Sequence, residues 1–415
     1  MGGLMKNNDG LPEGWKWKTL GEICSKPQYG WTTKANPENG TVKLLRTTDI
    51  TSGVVDWSTV PYCTETPENL EKYLVSPGDI VISRAGSVGF SYLITNAEKA
   101  VFASYLIRFR PHDNVDRRYV YYYLKSPAYW QAIGASKIGI AVPNVNATKL
   151  SQISIPLALP VEQKLIVSEI EKQFSRLDEA VAALKRVRAS LKRYKASVLK
   201  AAVEGRIVTS EQKKWKTTTV GEVSEIVTKG SSPNWQGFEY SSEGVVFVRS
   251  QNVSWGHLDL SDVAHLPLAF NKKEKKSVLR TGDVLLNIVG ASIGRAAVAS
   301  KSIEGGNINQ AVAVIRPLRD RLLPQFLMCY FLSEKVQKLI HAQKVDVARA
   351  NYSLEQIRKL PLHLPPLDDQ HLIVEEIESR LSVAEEIEEI ININLKRAER
   401  LRQAILKKAF SGRLV

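Results

Sequence analysis

The sequence predicts an α+β protein: two mixed α/β domains separated by two long helices, which pair within the chain as an antiparallel coiled coil about a pseudo-two-fold axis. Three observations predict it. One offset of 207 aligns residues 144–208 with residues 351–415 without a gap, so that LKRYKASVLKAAVEGRIV (191–208) is matched by AERLRQAILKKAFSGRLV (398–415); internal repetition is the first thing to read in a chain. Apolar residues recur every seven positions in both helical segments. The two segments also carry opposite charge, in an order that favours antiparallel pairing.

Taken in chain order, residues 1–158 form the first domain, 159–208 the first helix, 209–365 the second domain and 366–415 the second helix. Both domains open alike, with Trp17-Lys-Thr-Leu-Gly-Glu-Ile23 and Trp215-Lys-Thr-Thr-Thr-Val-Gly-Glu-Val223. Short β-rich runs follow, punctuated by Gly, Pro, Asn and Ser: 41–45, 79–83, 105–109, 245–248 and 311–315. A helical stretch is expected in each domain, over 118–133 and 324–342. The strand-turn Ser76–Gly89 parallels Arg280–Gly294, and Arg46-Thr-Thr-Asp49 parallels Arg249-Ser-Gln-Asn252. The domains have diverged far more than the helices.

In the first helix Ile170, Leu177, Leu184, Leu191 and Val198 mark the seam, with Phe174 and Val181 between them; in the second it is Ile377, Leu381, Ala384, Ile391, Leu395 and Ile405. Pro160 and Pro366 suit helix entrances, with Glu162, Asp368 and Asp369 in the first turns, and Gly205 and Gly412 suit C-caps. From Leu184 to Val203 the first helix carries Lys185, Arg186, Arg188, Lys192, Arg193, Lys195 and Lys200 and no acid. The early second helix carries Glu375, Glu376, Glu378, Glu385, Glu386, Glu388 and Glu389. Antiparallel packing sets base beside acid.

The chain has 415 residues, too many for one ordinary core, and a net charge of +14 that fits a polyanionic partner. It holds no run approaching a membrane span and no apolar segment near Met1, so neither membrane nor secretion is expected. Cys24, Cys63 and Cys329 are few and widely spaced, as suits a reducing cytoplasm.

No catalytic constellation is visible. There is no GxxxxGK[ST]; Gly86-Ser-Val-Gly89 and Gly290-Ala-Ser-Ile-Gly294 read as tight turns; the six histidines form no metal-binding pair. The triplets Glu162-Gln-Lys164 and Glu211-Gln-Lys213 lack the strand-borne acid that a nuclease needs. No catalytic residue, metal or cofactor is expected.

What remains is recognition chemistry. Lys26, Gln28, Tyr29, Trp31, Thr32, Thr33 and Lys34 cluster early in the first domain, and Lys229, Ser231, Ser232, Asn234, Trp235 and Gln236 early in the second. Arg46, Arg249, Gln251 and Asn252 follow short strands, and Arg84 follows the 79–83 strand. Arg and Lys suit guanine O6 and N7, Asn and Gln suit adenine N6 and N7, and Lys, Ser and Thr hold phosphates. These are the candidate DNA-binding residues. A non-enzymatic coiled-coil scaffold acting without DNA, or a DNA-binding adaptor of another kind, is the competing reading; the scaffold explains the helices but not two diverged basic domains.

The pattern resembles one family, the specificity subunits of type I restriction-modification systems. The resemblance rests on the doubled opening, on Gly-Asp-Ile/Val at 78–80 and 282–284, on Val142-Pro-Asn-Val-Asn146, on Leu364-Pro-Pro-Leu-Asp-Asp-Gln370, and on the closing 200–207 and 407–414. It implies two target-recognition domains, each reading half of a bipartite double-stranded DNA sequence. The helices would set the spacer and dock methyltransferase subunits, two of them, which associate with restriction subunits. One departure stands out: Arg349-Ala-Asn351 replaces the first copy's Val142-Pro-Asn144.

Overall fold

The structure, a computed structural model, describes residues 10–136, 144–207, 215–342 and 351–415. Val142, Pro143, Arg349, Ala350 and the 211–213 triplet lie outside the described residues. Two compact units emerge: residues 1–184 with 393–415, and residues 185–392.

In the first unit, Lys16–Thr19 pairs antiparallel with Ser154–Leu157, just ahead of the first long helix, Pro160–Val203. A four-stranded antiparallel sheet runs in the order Gln28–Tyr29, Leu106–Phe109, Ile80–Ser83, Ser91–Leu93. A second four-stranded sheet contains the parallel pair Lys43–Leu45 and Ala100–Phe102. The strands 80–83, 100–102 and 106–109 are buried on both faces, which accounts for their unbroken apolar runs.

The second unit repeats the plan. Lys216–Thr219 pairs with Pro361–Leu364, ahead of the second long helix, Leu367–Ala409. Its four-stranded sheet runs Ser224–Lys229, Val312–Pro317, Val284–Asn287, Ala296–Val298, and its smaller sheet contains the parallel pair Val245–Val248 and Asn307–Ile308. The repeated opening motif explains itself here. Thr19 and Glu22 form a reciprocal cap, the Thr19 N–H donating to Glu22 at 2.7 Å, and Thr219 donates to Glu222 in the same way at 3.2 Å.

The helical stretches differ from expectation. Residues 118–133 form two helices, Arg117–Tyr123 and Pro127–Ser136, because Pro127 disfavours helical backbone at Ser126. Residues 324–342 split into Pro324–Leu332 and Glu334–Ala342 at Ser333, whose ψ of 143° is extended.

The long helices hold 44 and 43 residues, so each runs about 65 Å at 1.5 Å per residue. In the first unit Ile166, Val167 and Ile170 share a core with Ile405, Leu406, Ala409 and Phe410, and Phe410 packs edge-on to Tyr119 and Tyr123, both at 5.1 Å. In the second unit Ile373, Val374 and Ile377 meet Val198, Leu199, Ala202 and Val203, the same seven positions moved by the 207 offset. The start of one helix therefore packs against the end of the other in both units, an antiparallel pairing. Ion pairs agree with it: Asp178 with Arg402 in the first unit, and Lys195 with Glu388 at 2.7 Å in the second. Gly205 and Gly412 close the helices at φ 68° and 67°, the following N–H groups reaching back to Ala201 and Lys408 carbonyls.

Candidate nucleic-acid interface

The recognition residues of the first unit sit where the 28–29 strand leaves its sheet. The chain there runs so close to the neighbouring backbone that a Cβ on Gly30 would lie 2.2 Å from the Phe102 carbonyl oxygen, so glycine is required. Gln28 is spent internally: its amide donates to the Lys72 carbonyl at 2.7 Å and its oxygen accepts from Arg108 at 2.6 Å. Trp31 donates its indole N–H to the Glu65 carbonyl at 2.9 Å and packs on Tyr73. Thr33 accepts from the Glu65 N–H. Lys26, Thr32 and Lys34 are exposed. Tyr29 is exposed as well, its hydroxyl accepting from the Ala147 N–H at 2.9 Å, and the Arg84 guanidinium lies 5.0 Å over its ring.

The other first-unit arginine expected at DNA is committed differently. Arg46 forks onto Asp49 at 3.1 and 2.8 Å, a hydrogen-bonded pairing that raises its pKa further and caps a short helix.

In the second unit Lys229 ends its strand exposed, and Gly230 makes the same close approach as Gly30, here to the Ile308 carbonyl. Ser231 donates to Glu274 at 2.8 Å, while Ser232 is half-buried. The turn of Asn234, Trp235 and Gln236 closes on Gly237 at φ 78° and leaves Trp235 81% exposed. Arg249 donates to the Asp262 carbonyl and pairs with its carboxylate at 3.2 Å; Gln251 donates to the same carboxylate at 3.0 Å. Asn252, expected at a DNA surface, is buried. Its amide donates to the Asp259 and Asp262 carbonyls, and its oxygen accepts from the Arg249 N–H, so it shapes the loop that carries Arg249.

Each unit also holds a buried carboxylate paired with arginine that sequence reasoning did not single out. Asp79 accepts from Arg110 at 2.6 Å and faces Arg108 at 3.5 Å. Burial pulls the Arg108 guanidinium below its usual pKa, against the opposing pull of Asp79. Asp283 accepts from Arg316 at 2.7 Å through two nitrogens, a pairing that raises the Arg316 pKa. The repeated Gly-Asp of residues 78–79 and 282–283 was the available signal. Tyr105, 60% exposed beside Arg84, was also missed; its counterpart is Ala311, so no repeat marks it.

The three thiols are buried, and burial pushes Cys24 up to about 12, Cys63 to about 11 and Cys329 to about 12, which keeps them protonated at neutral pH. Among the described residues no group of three or more His, Cys, Asp or Glu is placed to hold a metal, and no helix is long and apolar enough to cross a membrane.

Residues 12–192 and 212–397 match the Type I restriction modification DNA specificity domain. The chain is 28% identical over 402 residues to the type I restriction enzyme EcoBI specificity subunit of Escherichia coli, covering 92% of this chain and 82% of that protein. It is 25% identical to the EcoKI specificity subunit of Escherichia coli K12, covering 97% and 90%. Among solved structures it superposes on a chain from work on complex assembly and conformational transition of the type I R-M system, with a TM-score of 0.75 at 21% identity, covering 97% and 99%. The HsdS subunit of Thermoanaerobacter tengcongensis gives 0.57 at 21% identity, covering 97% and 98%. At these identities the structural likeness establishes the fold.

Proposed function

The chain belongs to the type I restriction modification DNA specificity family, and from that premise we propose how its parts divide the work of a specificity subunit. Each globular domain, 1–158 and 209–365, reads one half of a bipartite double-stranded DNA target. The helical segments 159–208 and 366–415 hold the two readers apart, fix the unspecified spacer and dock the methyltransferase subunits, two per chain, to which restriction subunits attach. The subunit itself performs no catalysis and works in the cytoplasm, where the DNA is.

The observation that carries this reading is a frame repeated with different rims. Structural groups recur at matched positions, while the residues at the strand ends differ. Positive charge of +14 supplies phosphate affinity without sequence information. The helices also keep apolar side chains in solvent. Val383, Ile387 and Ile390 are exposed at helical spacing, a stripe suited to a partner helix.

Co-expression with the cognate methyltransferase subunit, followed by genome-wide mapping of methylated adenines, tests it. A bipartite motif that appears only when this chain is present is the expected result. Methylation indifferent to the chain would overturn the reading and leave the scaffold alternative, against which a DNA affinity that falls steeply with salt would count.

A further inference from the structure

Hydrogen-bond register within each unit allows the two copies to be aligned residue for residue. Ile80 pairs with Phe109 as Val284 pairs with Ile315, and Tyr29 lies opposite Ile107 as Lys229 lies opposite Ala313. The Arg84 N–H donates to the Tyr105 carbonyl and its carbonyl accepts from Val145; Ile288 repeats both bonds with Ala311 and Tyr352. Tyr29, Arg84 and Tyr105 of the first unit therefore stand where the second has Lys229, Ile288 and Ala311.

Arg84 is unlike the other arginines of its domain. Arg46, Arg108, Arg110, Arg117 and Arg118 each face a carboxylate. Among the described residues nothing accepts a hydrogen bond from the Arg84 side chain, and its Nε is buried without a partner. Its backbone is tied on both sides, and its guanidinium rests on the Tyr29 ring, which the Ala147 N–H in turn holds. The next turn leaves room: a Cβ on Gly86, at φ 72°, would meet nothing within 4 Å. A charged planar fork, stacked on one face and with its donors unspent, is preorganised for a planar pair of acceptors. In a duplex groove that pair is guanine O6 and N7.

We propose that Arg84, seated on Tyr29, reads a guanine in the half-site of the first domain, and that the matching position of the second domain, Ile288, makes no such contact. This rests on the reading of the chain as a specificity subunit.

The test is the methylome of the complex assembled with Arg84→Ala and, separately, with Arg84→Lys, which keeps the charge and most of the stem. The expected result for both is loss of preference for guanine at one position of one half-site, by on the order of 10- to 100-fold, the discrimination of a bidentate arginine contact. The other half-site stays intact and reports that the subunit folds and assembles. An unchanged motif would overturn the proposal. So would weakening uniform over all target sequences with both half-sites still read, the mark of a phosphate contact. Failure of the parent reading looks different: there the unaltered chain would itself direct no bipartite methylation.

Discussion

The two globular copies share a set of buried polar groups and differ more widely at the strand ends that carry the candidate readers. Asp79 and Asp283 hold matched arginines; Tyr123 donates to the Ser154 carbonyl as Tyr330 donates to that of Pro361; Gln163 and Gln370 occupy one place a turn into their helices. Tyr29, Arg84 and Tyr105 stand where the other copy has Lys229, the buried Ile288 and Ala311. An unpaired buried polar group costs stability wherever it sits, so a change on one side of a buried pair is penalised unless the other side changes with it. A rim residue answers only to what it binds. The contrast separates frame from reader without reference to any other protein, and it can be attacked from the frame side.

The largest effect should come from the buried carboxylates. Asp79→Ala leaves Arg108, 4% exposed, without its charge partner, and Asp283→Ala does the same to Arg316, 7% exposed; breaking a buried pair from one side costs about 3–5 kcal/mol. The arginine side should split the copies. Asp79 keeps Arg108 when the half-exposed Arg110 is removed, whereas among the described residues Asp283 pairs with no second guanidinium, because the position matching Arg108 is Val314. Arg110→Ala is therefore expected to cost well under half of what Arg316→Ala costs. Denaturant unfolding followed by hydrogen exchange resolves the two units separately. Equal costs for the two arginine variants would show that Arg108 does not stand in for Arg110 at Asp79.

Much of the frame was legible in the sequence, for reasons that also explain what was not. The long helices announce themselves because packing against a partner demands an apolar residue every three or four positions along their length, from Ile166 to Val198 and from Ile373 to Ile405. The breaks at Ser126 and Ser333 were not read, because apolar spacing continues across them; Pro127 was the missed signal in the first. Side-chain type marks candidate readers in a sequence, but type does not reveal whether their donors are already engaged. Arg46 has Asp49 three residues on, a local pair within reach of sequence reasoning. Arg249, Gln251 and Asn252 bond to Asp259 and Asp262 through a loop whose path no motif gives. Arg84 and Tyr29 are 55 residues apart, and only the sheet brings them together.

A middle-sized effect belongs to the buried glutamines. Gln163 accepts from the Asp116 N–H at 2.8 Å and donates to the Ala158 carbonyl at 2.8 Å; Gln370 accepts from Leu323 and donates to the carbonyls of Pro365 and Arg321. Each pins a loop of its domain to the long helix that follows. Substitution by alanine orphans those backbone groups, at about 1–3 kcal/mol each where water cannot replace the bond. Gln370→Ala should cost more than Gln163→Ala, since one more carbonyl is left bare, and the difference should appear as faster exchange of amides around 321–323 than around 114–116. The reverse order would mean that solvent reaches the second clamp and not the first.

The smallest effect tests a place where the copies part company inside the core. Tyr352 stands where the first unit has Val145, and it is fully buried, but its hydroxyl meets no acceptor among the described residues. Tyr123 and Tyr330 donate to carbonyls at 2.6 and 2.5 Å. Tyr123→Phe and Tyr330→Phe should each cost about 1 kcal/mol, and Tyr352→Phe should cost nothing or stabilise slightly. Alkaline pH sharpens the distinction. Burial holds the Tyr352 phenol up at about 12, while in the unfolded chain it ionises near 10. The folded form thus keeps a proton that the unfolded form releases, and the stability tied to that proton, full below pH 10, drains away as pH rises toward 12. Tyr352→Phe removes this drain, so its stability relative to the parent chain should grow between pH 10 and 12. A relative stability flat across that window would place water, or another partner, on the Tyr352 hydroxyl.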